Sequence, residues 1–289
     1  MSTADTQLPT CYRHPDRETG LSCSECGRPI CTECMTPAAV GLRCPDHAGT
    51  RRRLNPPRVV RRTSARFVEA PVTKVLVALN IGIYLITAVQ GRGINNPGGA
   101  LFNKFILYGP AIAHGDWWRL VTPMFLHGYL LHIGFNMFAL WVIGRPVEQY
   151  LGSLRYVLLY FVSGLAGSAG SLVYSPHSFG VGASGAIFGI LGAMLILEWQ
   201  HTGKLGGQAA SLIALNLVLN FAFNGVGANI SIGAHIGGLI GGILVTLAYA
   251  NWGRGHAAYG KVGVLGAAGV IAVAAASVAI AYFQVRGMA

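Results

Sequence analysis

A serine in a turn of small residues is the first candidate for chemistry. The turn Gly182-Ala183-Ser184-Gly185 opens an apolar, glycine-marked stretch, so Ser184 falls at the start of a predicted helix. Free backbone N–H groups at a helix start suit a developing oxyanion, and a histidine within reach could take the serine proton. Taken alone, the tetrapeptide favours a helix cap, because serine is common at that position. The rest of the chain has to separate a cap from a nucleophile.

The composition places this serine in a membrane protein. Of 289 residues, 53% are hydrophobic and 11% are charged, whereas soluble domains carry about a quarter charged residues. Seven apolar stretches of near-spanning length predict an all-α polytopic membrane protein. They cover roughly residues 73–90, 129–145, 154–175, 184–199, 208–225, 231–250 and 262–284.

The directions of these stretches bring polar side chains from three helices to one depth. With the N-terminus inside, the second, fourth and sixth stretches begin at the outer surface. His132 and Asn136 lie near the start of the second and share one helix face. Ser184 opens the fourth, and His235 lies early in the sixth. Because polar groups in hydrocarbon are costly, their convergence favours function over ordinary packing.

The acidic residues favour a Ser–His dyad over a triad. After residue 72 the only acids are Asp116, Glu148 and Glu198. Glu198 lies about 21 Å along a helix from Ser184, and Glu148 sits at the inner end of its span. Asp116, in an external connection, stays open as a third member. We therefore predict Ser184 as nucleophile and His235 as general base and then acid.

Two further features support this site. His132 and Asn136 are available as side-chain donors to an oxyanion, beside the backbone N–H of Ser184. Rows of small residues would let the two catalytic helices approach closely. The rows are Gly185, Gly189 and Gly192 on the fourth stretch, and Gly238 and Gly242 on the sixth. Ordinary glycine packing without chemistry is the alternative, and the glycines alone do not exclude it.

The motifs of this part of the chain resemble those of the rhomboid intramembrane serine proteases. The matching pieces are Trp118-Arg119, His127, His132-x3-Asn136, Glu148-x3-Gly152, the Gly182–Gly185 turn and Ala234-His235-x2-Gly238-x3-Gly242. The resemblance implies a six-helix core plus a seventh C-terminal transmembrane helix. It also implies that Ser184 is the nucleophile, that His235 is the base, and that His132 and Asn136 help form the oxyanion hole.

The same resemblance implies the substrate class. Such proteases cut transmembrane proteins near the outer membrane boundary. It assigns the substrate gate to the fifth stretch and the loop 226–230. Arg119 and Glu148 are expected to be structural, and His127 to support the cavity or hold water.

A Cys-rich segment precedes the membrane body. Its ligands form four pairs of one spacing: Cys11-x2-His14, Cys23-x2-Cys26, Cys31-x2-Cys34 and Cys44-x2-His47. Eight ligands suffice for two closed, structural zinc sites, and histidines at the same spacing favour zinc over a disulfide framework. The arrangement resembles a B-box-type zinc finger. That resemblance implies one ion on Cys11, His14, Cys31 and Cys34 and the other on Cys23, Cys26, Cys44 and His47.

The charge distribution predicts the domains and the orientation. Eleven of the 21 Lys and Arg residues lie before residue 67, seven of them within 51–66. Directly before an apolar helix, such a run favours a cytoplasmic flank on anionic lipid over nucleic-acid binding. We predict a zinc-binding domain at 1–50, a basic linker at 51–71 and a protease domain at 72–289. The first twenty residues lack a signal-peptide pattern.

The expected setting is the plasma membrane. The zinc domain would lie in the cytoplasm, where a cytosolic protein is a candidate partner, and the active site would open outward. Catalysis would need no cofactor.

The sequence favours three other functions less. A silent, client-binding protein of the same fold typically lacks the serine or the histidine, and this chain has both. A transporter is disfavoured because the polar site lies near one face. A metalloenzyme would need His127 and His132 on one helix face, and their spacing of five does not give that.

Overall fold

A computed structural model describes residues 8–38, 41–48, 69–224, 231–250 and 263–288, with side chains described outside 219–224. The chain divides into two compact units, Met1–Phe67 and Val68–Ala289. The basic segment 51–66 and the loop 226–230 lie outside the described residues. The predicted domain boundaries at residues 50 and 71 therefore stay predictions.

The described part of the first unit contains two small hairpins around its cysteines. Strand β1 (Thr10–Cys11) pairs antiparallel with β2 (His14–Glu18), and β3 (Thr36–Pro37) pairs antiparallel with β4 (Leu42–Arg43). Ile30 is fully buried and packs with the buried cysteines. A unit of this size buries too little apolar surface to be stable without cross-links or metal.

The second unit is helical, and it confirms the predicted class. Its helices are α1 (Pro71–Gln90), α2 (Gly99–Phe105), α3 (Gly109–Ala113), α4 (Leu130–Ala139), α5 (Arg145–Leu151), α6 (Ser153–Tyr174), α7 (Ser184–Thr202), α8 (Gln208–Asn224), α9 (Ile232–Tyr249) and α10 (Val264–Val285). Within the described residues, five helices are long and apolar enough to cross a bilayer. These are Pro71–Gln90, Leu130–Leu151, Ser153–Tyr174, Ile232–Tyr249 and Val264–Val285.

Helix α7 lies where the fourth stretch was predicted, but its average hydropathy is below that of the five spanning helices. Side chains of α8 are described only for Gln208–Val218, a short apolar helix, so a spanning fifth stretch stays a prediction. Helix α7 ends in the polar run Glu198-Trp199-Gln200-His201, which lowers its average hydrophobicity. Its residues from Gly185 to Ala193 are all buried. A helix enclosed by other helices needs no lipid-facing surface, so its polar end costs little.

The second apolar stretch runs six residues further than predicted. Helix α4 continues through a π turn at Leu140–Gly144 into α5, which ends at Leu151. Arg145-Pro146 indicates a helix end by sequence, because proline lacks an N–H and clashes with the preceding turn. The wider π turn accommodates Pro146 at the start of the next helical segment.

Helices α7 and α9 are in direct backbone contact at the centre of the unit. A methyl group added to Gly238 would overlap the carbonyl oxygen of Gly185, and one added to Gly242 would overlap that of Gly189. The two glycine rows noted in the sequence therefore face each other. This contact determines how closely the starts of α7 and α9 approach.

The connection 91–128 is folded rather than extended. It contains α2, α3 and two 3-10 turns, Trp117–Leu120 and Thr122–Phe125. The buried Arg119 guanidinium binds Asp116 Oδ2 at 2.8 Å and the carbonyl oxygens of Asn103 and Ile106 at 2.9 and 2.8 Å. Arg119 thus holds this connection together, in line with the structural role expected for it.

Glu148 joins α5 to the start of α1. Its carboxylate accepts the backbone N–H groups of Val72 and Thr73 at 3.0 and 2.8 Å. The hydroxyls of Thr73 and Ser153 each donate to it at 2.8 Å. A carboxylate at a helix N-terminus satisfies N–H groups that have no partner within the helix. The contacts are structural, as expected.

Helix α10 packs against α6, α9 and the connection that contains α3. The rings of Trp117 and Tyr282 stack with their centroids 6.3 Å apart. Ala281 and Val285 join a buried cluster that includes Leu107. The seventh helix thus contacts the folded connection described above.

Candidate active site and metal clusters

The starts of α7 and α9 bring Ser184 and His235 together. Ser184 is the first residue of α7, and its Oγ lies 2.8 Å from Nε2 of His235. His235 is only 4% exposed, while Ser184 is half-buried. The Phe188 ring stacks on the imidazole at 4.2 Å, with 9° between the planes. This is the geometry that a serine nucleophile and its general base require.

The turn before Ser184 is fixed by the folded connection. Gly182 has φ of +124°, a conformation that favours glycine, and its N–H donates to the carbonyl of Pro123 at 2.9 Å. Two residues earlier, Gly180 and Leu107 exchange two backbone hydrogen bonds of 3.0 Å. The turn Gly182–Gly185 is therefore held by residues outside its own helix, which the sequence alone did not indicate.

His132 lies beside the turn Gly182–Gly185. A methyl group on Gly182 would lie 2.7 Å from Nε2 of His132 and 3.6 Å from Oγ of Ser184. The N–H of Gly128 donates to Nδ1 of His132 at 3.4 Å. A ring nitrogen that accepts carries no proton, so the neutral ring is protonated at Nε2. This assignment follows from the hydrogen-bond pattern, and it directs an N–H donor toward the turn.

Asn136 lies one turn further along α4. It is 6% exposed, and its Nδ2 donates to the carbonyl of His132 at 2.8 Å. That contact uses one of the two N–H groups of the amide. A contribution of Asn136 to an oxyanion would use the second.

His127 is a fully buried histidine beside the site. Its ring meets that of His132 edge-on, with the centroids 5.1 Å apart. Among the described residues, neither of its ring nitrogens has a hydrogen-bond partner. Buried polar atoms without protein partners commonly bind ordered water, which is consistent with the water-holding role expected for His127. That role stays a prediction.

The three acidic residues after residue 72 bind groups other than His235. Asp116 pairs with Arg119. Glu198 accepts the N–H of Ala209 at 3.0 and 3.2 Å near the start of α8. Glu148 binds the start of α1, as described above. These contacts favour the dyad over a triad built on any of the three.

Sequence reasoning missed the role of Phe188. It lies four residues after Ser184, so the helical period places both on one face. That spacing was available as a signal, but phenylalanine in an apolar helix is normally packing.

The Cys and His side chains of the first unit form two groups. The groups are Cys11, His14, Cys31 and Cys34, and Cys23, Cys26, Cys44 and His47. Within each, the potential ligand atoms all lie within 4.8 Å of one another. This is the alternating pairing that the B-box resemblance implies.

The spacing within the groups fits a tetrahedral ion. Bond lengths of about 2.3 Å to sulfur and 2.0 Å to nitrogen separate two sulfurs by about 3.8 Å and a sulfur and a nitrogen by about 3.5 Å. Sγ of Cys26 and Cys44 are 3.8 Å apart. Nδ1 of His14 lies 3.4 Å from Sγ of both Cys31 and Cys34. Each group therefore has a donor set and spacing that could hold a metal ion.

The pKa values of these thiols differ within each group. Burial acts to raise the pKa of Cys11, but N–H groups of Arg13 and Cys31 and the ring of His14 lower it to about 6. Burial likewise opposes the N–H groups of Cys44 and Cys26 at Cys23, where the pKa is again lowered to about 6. Burial and the neighbouring thiols of Cys31 and Cys11 raise the pKa of Cys34 to about 11. At Cys26 the N–H of Arg28 lowers the pKa, but burial and the thiols of Cys23 and Cys44 raise it more. A metal ion would have to displace the protons of these two thiols, because the thiolate is the form that binds metal.

Comparisons with known proteins bear on the helical unit. Residues 114–252 match the family described as Rhomboid domain. "Rhomboid protease GluP" of Bacillus subtilis (strain 168) is 35% identical over 162 residues, covering 53% of this chain and 31% of that protein. The rhomboid relative YdcA of the same organism is 31% identical over 161 residues, covering 55% of this chain and 78% of that protein. "RHOMBOID-like protein 6, mitochondrial" of Arabidopsis thaliana is 40% identical over 108 residues, covering 35% of each.

The extent of these matches differs. The chain spans about a third of the length of GluP and of RHOMBOID-like protein 6, but more than three quarters of YdcA. The Rhomboid domain match begins at residue 114, so the first unit with its Cys and His groups lies outside it.

Proposed function

The chain belongs to the rhomboid family of intramembrane proteases, and from this premise we propose that it is a serine endopeptidase. Its substrates are transmembrane proteins, cut in or near their membrane segments. The observation that carries the proposal is the 2.8 Å contact between Ser184 Oγ and His235 Nε2 at the start of two apposed helices.

The reaction begins at Ser184. Its Oγ attacks the substrate carbonyl carbon while Nε2 of His235 takes the hydroxyl proton. The developing oxyanion is stabilised by the backbone N–H of Ser184 and the Nε2–H of His132, with Asn136 as a further donor. His235 then gives its proton to the leaving amine, and a water molecule activated by the same histidine hydrolyses the acyl-enzyme.

The substrate must expose a backbone carbonyl before attack. A helix in lipid keeps its carbonyl groups hydrogen-bonded, so the segment has to unwind locally, and helix-breaking residues lower that cost. The proposed route of entry is the fifth predicted stretch and the loop 226–230. We place the site on the extracytoplasmic side of the plasma membrane, because the basic segment 51–66 favours a cytoplasmic N-terminus.

The first unit is proposed to bind two structural zinc ions. One ion would join the hairpin of β1 and β2 to the segment 31–34, and the other would join the segments 23–26 and 44–47. Four protein ligands at each site leave no open position on the ion for catalysis. The role of the first unit in the cell would therefore be docking of a cytosolic protein. Deletion of residues 1–50 tests this, and unchanged cleavage together with unchanged interaction partners would contradict it.

A reconstituted assay tests the protease function. The full chain is placed in liposomes with a single-pass transmembrane reporter and compared with Ser184→Ala, His235→Ala and a chelator-treated sample. We expect both variants to lose cleavage and the chelator to leave it intact. Cleavage that persists in Ser184→Ala would contradict the proposed dyad. If the wild type binds the reporter without cleaving it, a silent client-binding protein is favoured instead.

A further inference from the structure

A hydrogen bond between two serine hydroxyls links α9, the helix that carries His235, to α6. Ser231 is the N-cap of α9, and its Oγ accepts the N–H of Ala234 at 3.2 Å. The same hydroxyl donates to Oγ of Ser171, on α6, at 3.0 Å. Ser171 is 8% exposed and Ser231 is half-buried. Ser231 therefore caps its own helix and bonds to a second one.

Glycines of α9 also bring its backbone close to the backbone of α6. A methyl group on Gly233 would overlap the carbonyl oxygen of Gly170, and one on Gly237 would overlap that of Ala166. Such close backbone packing fixes the distance between the two helices. Van der Waals contact is non-directional, however, so it restrains the rotation of α9 about its own axis less sharply than a directional bond does. A hydrogen bond is directional and supplies that restraint.

Small rotations of α9 matter because His235 follows Ser231 by one turn. The N–H of His235 donates to the carbonyl of Ser231 at 3.3 Å. With the imidazole tip about 6 Å from the helix axis, a rotation of about 10° moves it by about 1 Å. A movement of that size directed away from Ser184 Oγ, which lies 2.8 Å from Nε2, takes the two atoms beyond hydrogen-bonding distance.

We propose that Ser231 and Ser171 are positioning residues whose mutual hydrogen bond sets the rotation of α9 and so aligns His235 with Ser184. The proposal rests on the proposed protease function. It deepens that function, because it names groups that touch neither substrate nor the reacting atoms. The pair acts through the base, while the glycine contacts determine the distance between the helices.

The cap and the positioning bond can be separated. Ser171→Ala removes the bond to α6 and leaves the N-cap of α9 intact. Ser231→Ala removes both, and Ser231→Thr retains a hydroxyl that can serve both. Ser277→Ala is the matched control, since Ser277 is a buried serine whose Oγ donates at 2.8 Å to Val273 of its own helix.

The test uses the full-length chain in detergent and in liposomes. The rate of Ser184 labelling by a fluorophosphonate reports on activation of the nucleophile without a protein substrate, and reporter cleavage gives kcat and KM. We expect Ser171→Ala and Ser231→Ala to slow labelling about tenfold, as misplacement of a catalytic group by about 1 Å can cost up to a hundredfold. In reporter cleavage, both alanine variants should lower kcat and leave KM unchanged. Ser231→Thr should label at the wild-type rate.

The double variant and the control complete the design. If the bond acts as a unit, Ser171→Ala combined with Ser231→Ala labels no more slowly than Ser231→Ala alone. Wild-type labelling in Ser171→Ala would overturn the positioning pair and leave the protease function standing. Failure of the wild type to label would overturn the protease function itself. Because Ser171→Ala only removes a hydroxyl, it carries the test even where Ser231→Ala folds poorly.

Discussion

Adding one methyl group at Gly238 should separate the catalytic pair. The new carbon would overlap the carbonyl oxygen of Gly185 and lie 2.7 Å from its carbon. Carbon atoms in contact stand about 3.5 Å apart, so α7 and α9 must move apart by at least about 0.8 Å at this point. The Ser184–His235 contact of 2.8 Å then becomes about 3.6 Å, beyond hydrogen-bonding distance.

The effects on activity and on stability can be measured separately. We expect Gly238→Ala to reduce fluorophosphonate labelling and reporter cleavage about a hundredfold, the cost typical of misplacement by about 1 Å. Overpacking should lower the free energy of unfolding by about 1–3 kcal/mol. Unfolding is followed in detergent by circular dichroism, so that loss of activity in folded protein can be distinguished from loss of the fold.

A matched glycine provides the control. Gly134 lies on the exposed face of α4, where an added methyl group meets nothing within 4 Å. Gly134→Ala should therefore keep both activity and stability. If Gly238→Ala labels at the wild-type rate, the backbone contact of α7 with α9 does not set the distance between serine and histidine, and the reasoning fails.

Three further predictions concern other contacts. Glu148→Ala should lower the free energy of unfolding by about 2–4 kcal/mol, because it leaves buried donors at the start of α1 unsatisfied, and thermal unfolding measures this. His132→Ala should reduce kcat by about 10²–10³ with KM unchanged, as loss of an oxyanion donor does; an unchanged kcat would remove His132 from the oxyanion hole. Cys31→Ser should reduce bound zinc from two ions per chain to one, measured by elemental analysis, and retention of both ions would contradict the proposed ligand pairing. Its cleavage activity should stay at the wild-type level.

The sequence by itself determined the class of protein and the candidate chemistry. Low charge and long apolar stretches identify a membrane protein, because a bilayer core tolerates few charges. Ser184 and His235 could be chosen because an uncompensated polar group in such a helix is costly and therefore informative. The eight Cys and His residues could be grouped into pairs because short-range spacing limits which side chains reach one ion. All of these are local signals.

Only the tertiary structure decided the contacts between distant segments. The sequence did not indicate that Gly128 fixes the tautomer of His132, or that Pro123 and Leu107 hold the turn Gly182–Gly185. It suggested that two glycine rows could meet, but their register depends on how the helices pack. The bond from Ser231 to Ser171 crosses 60 residues, and serine in a membrane helix is otherwise unremarkable. Such contacts arise from packing, which brings together groups whose meeting no local pattern encodes.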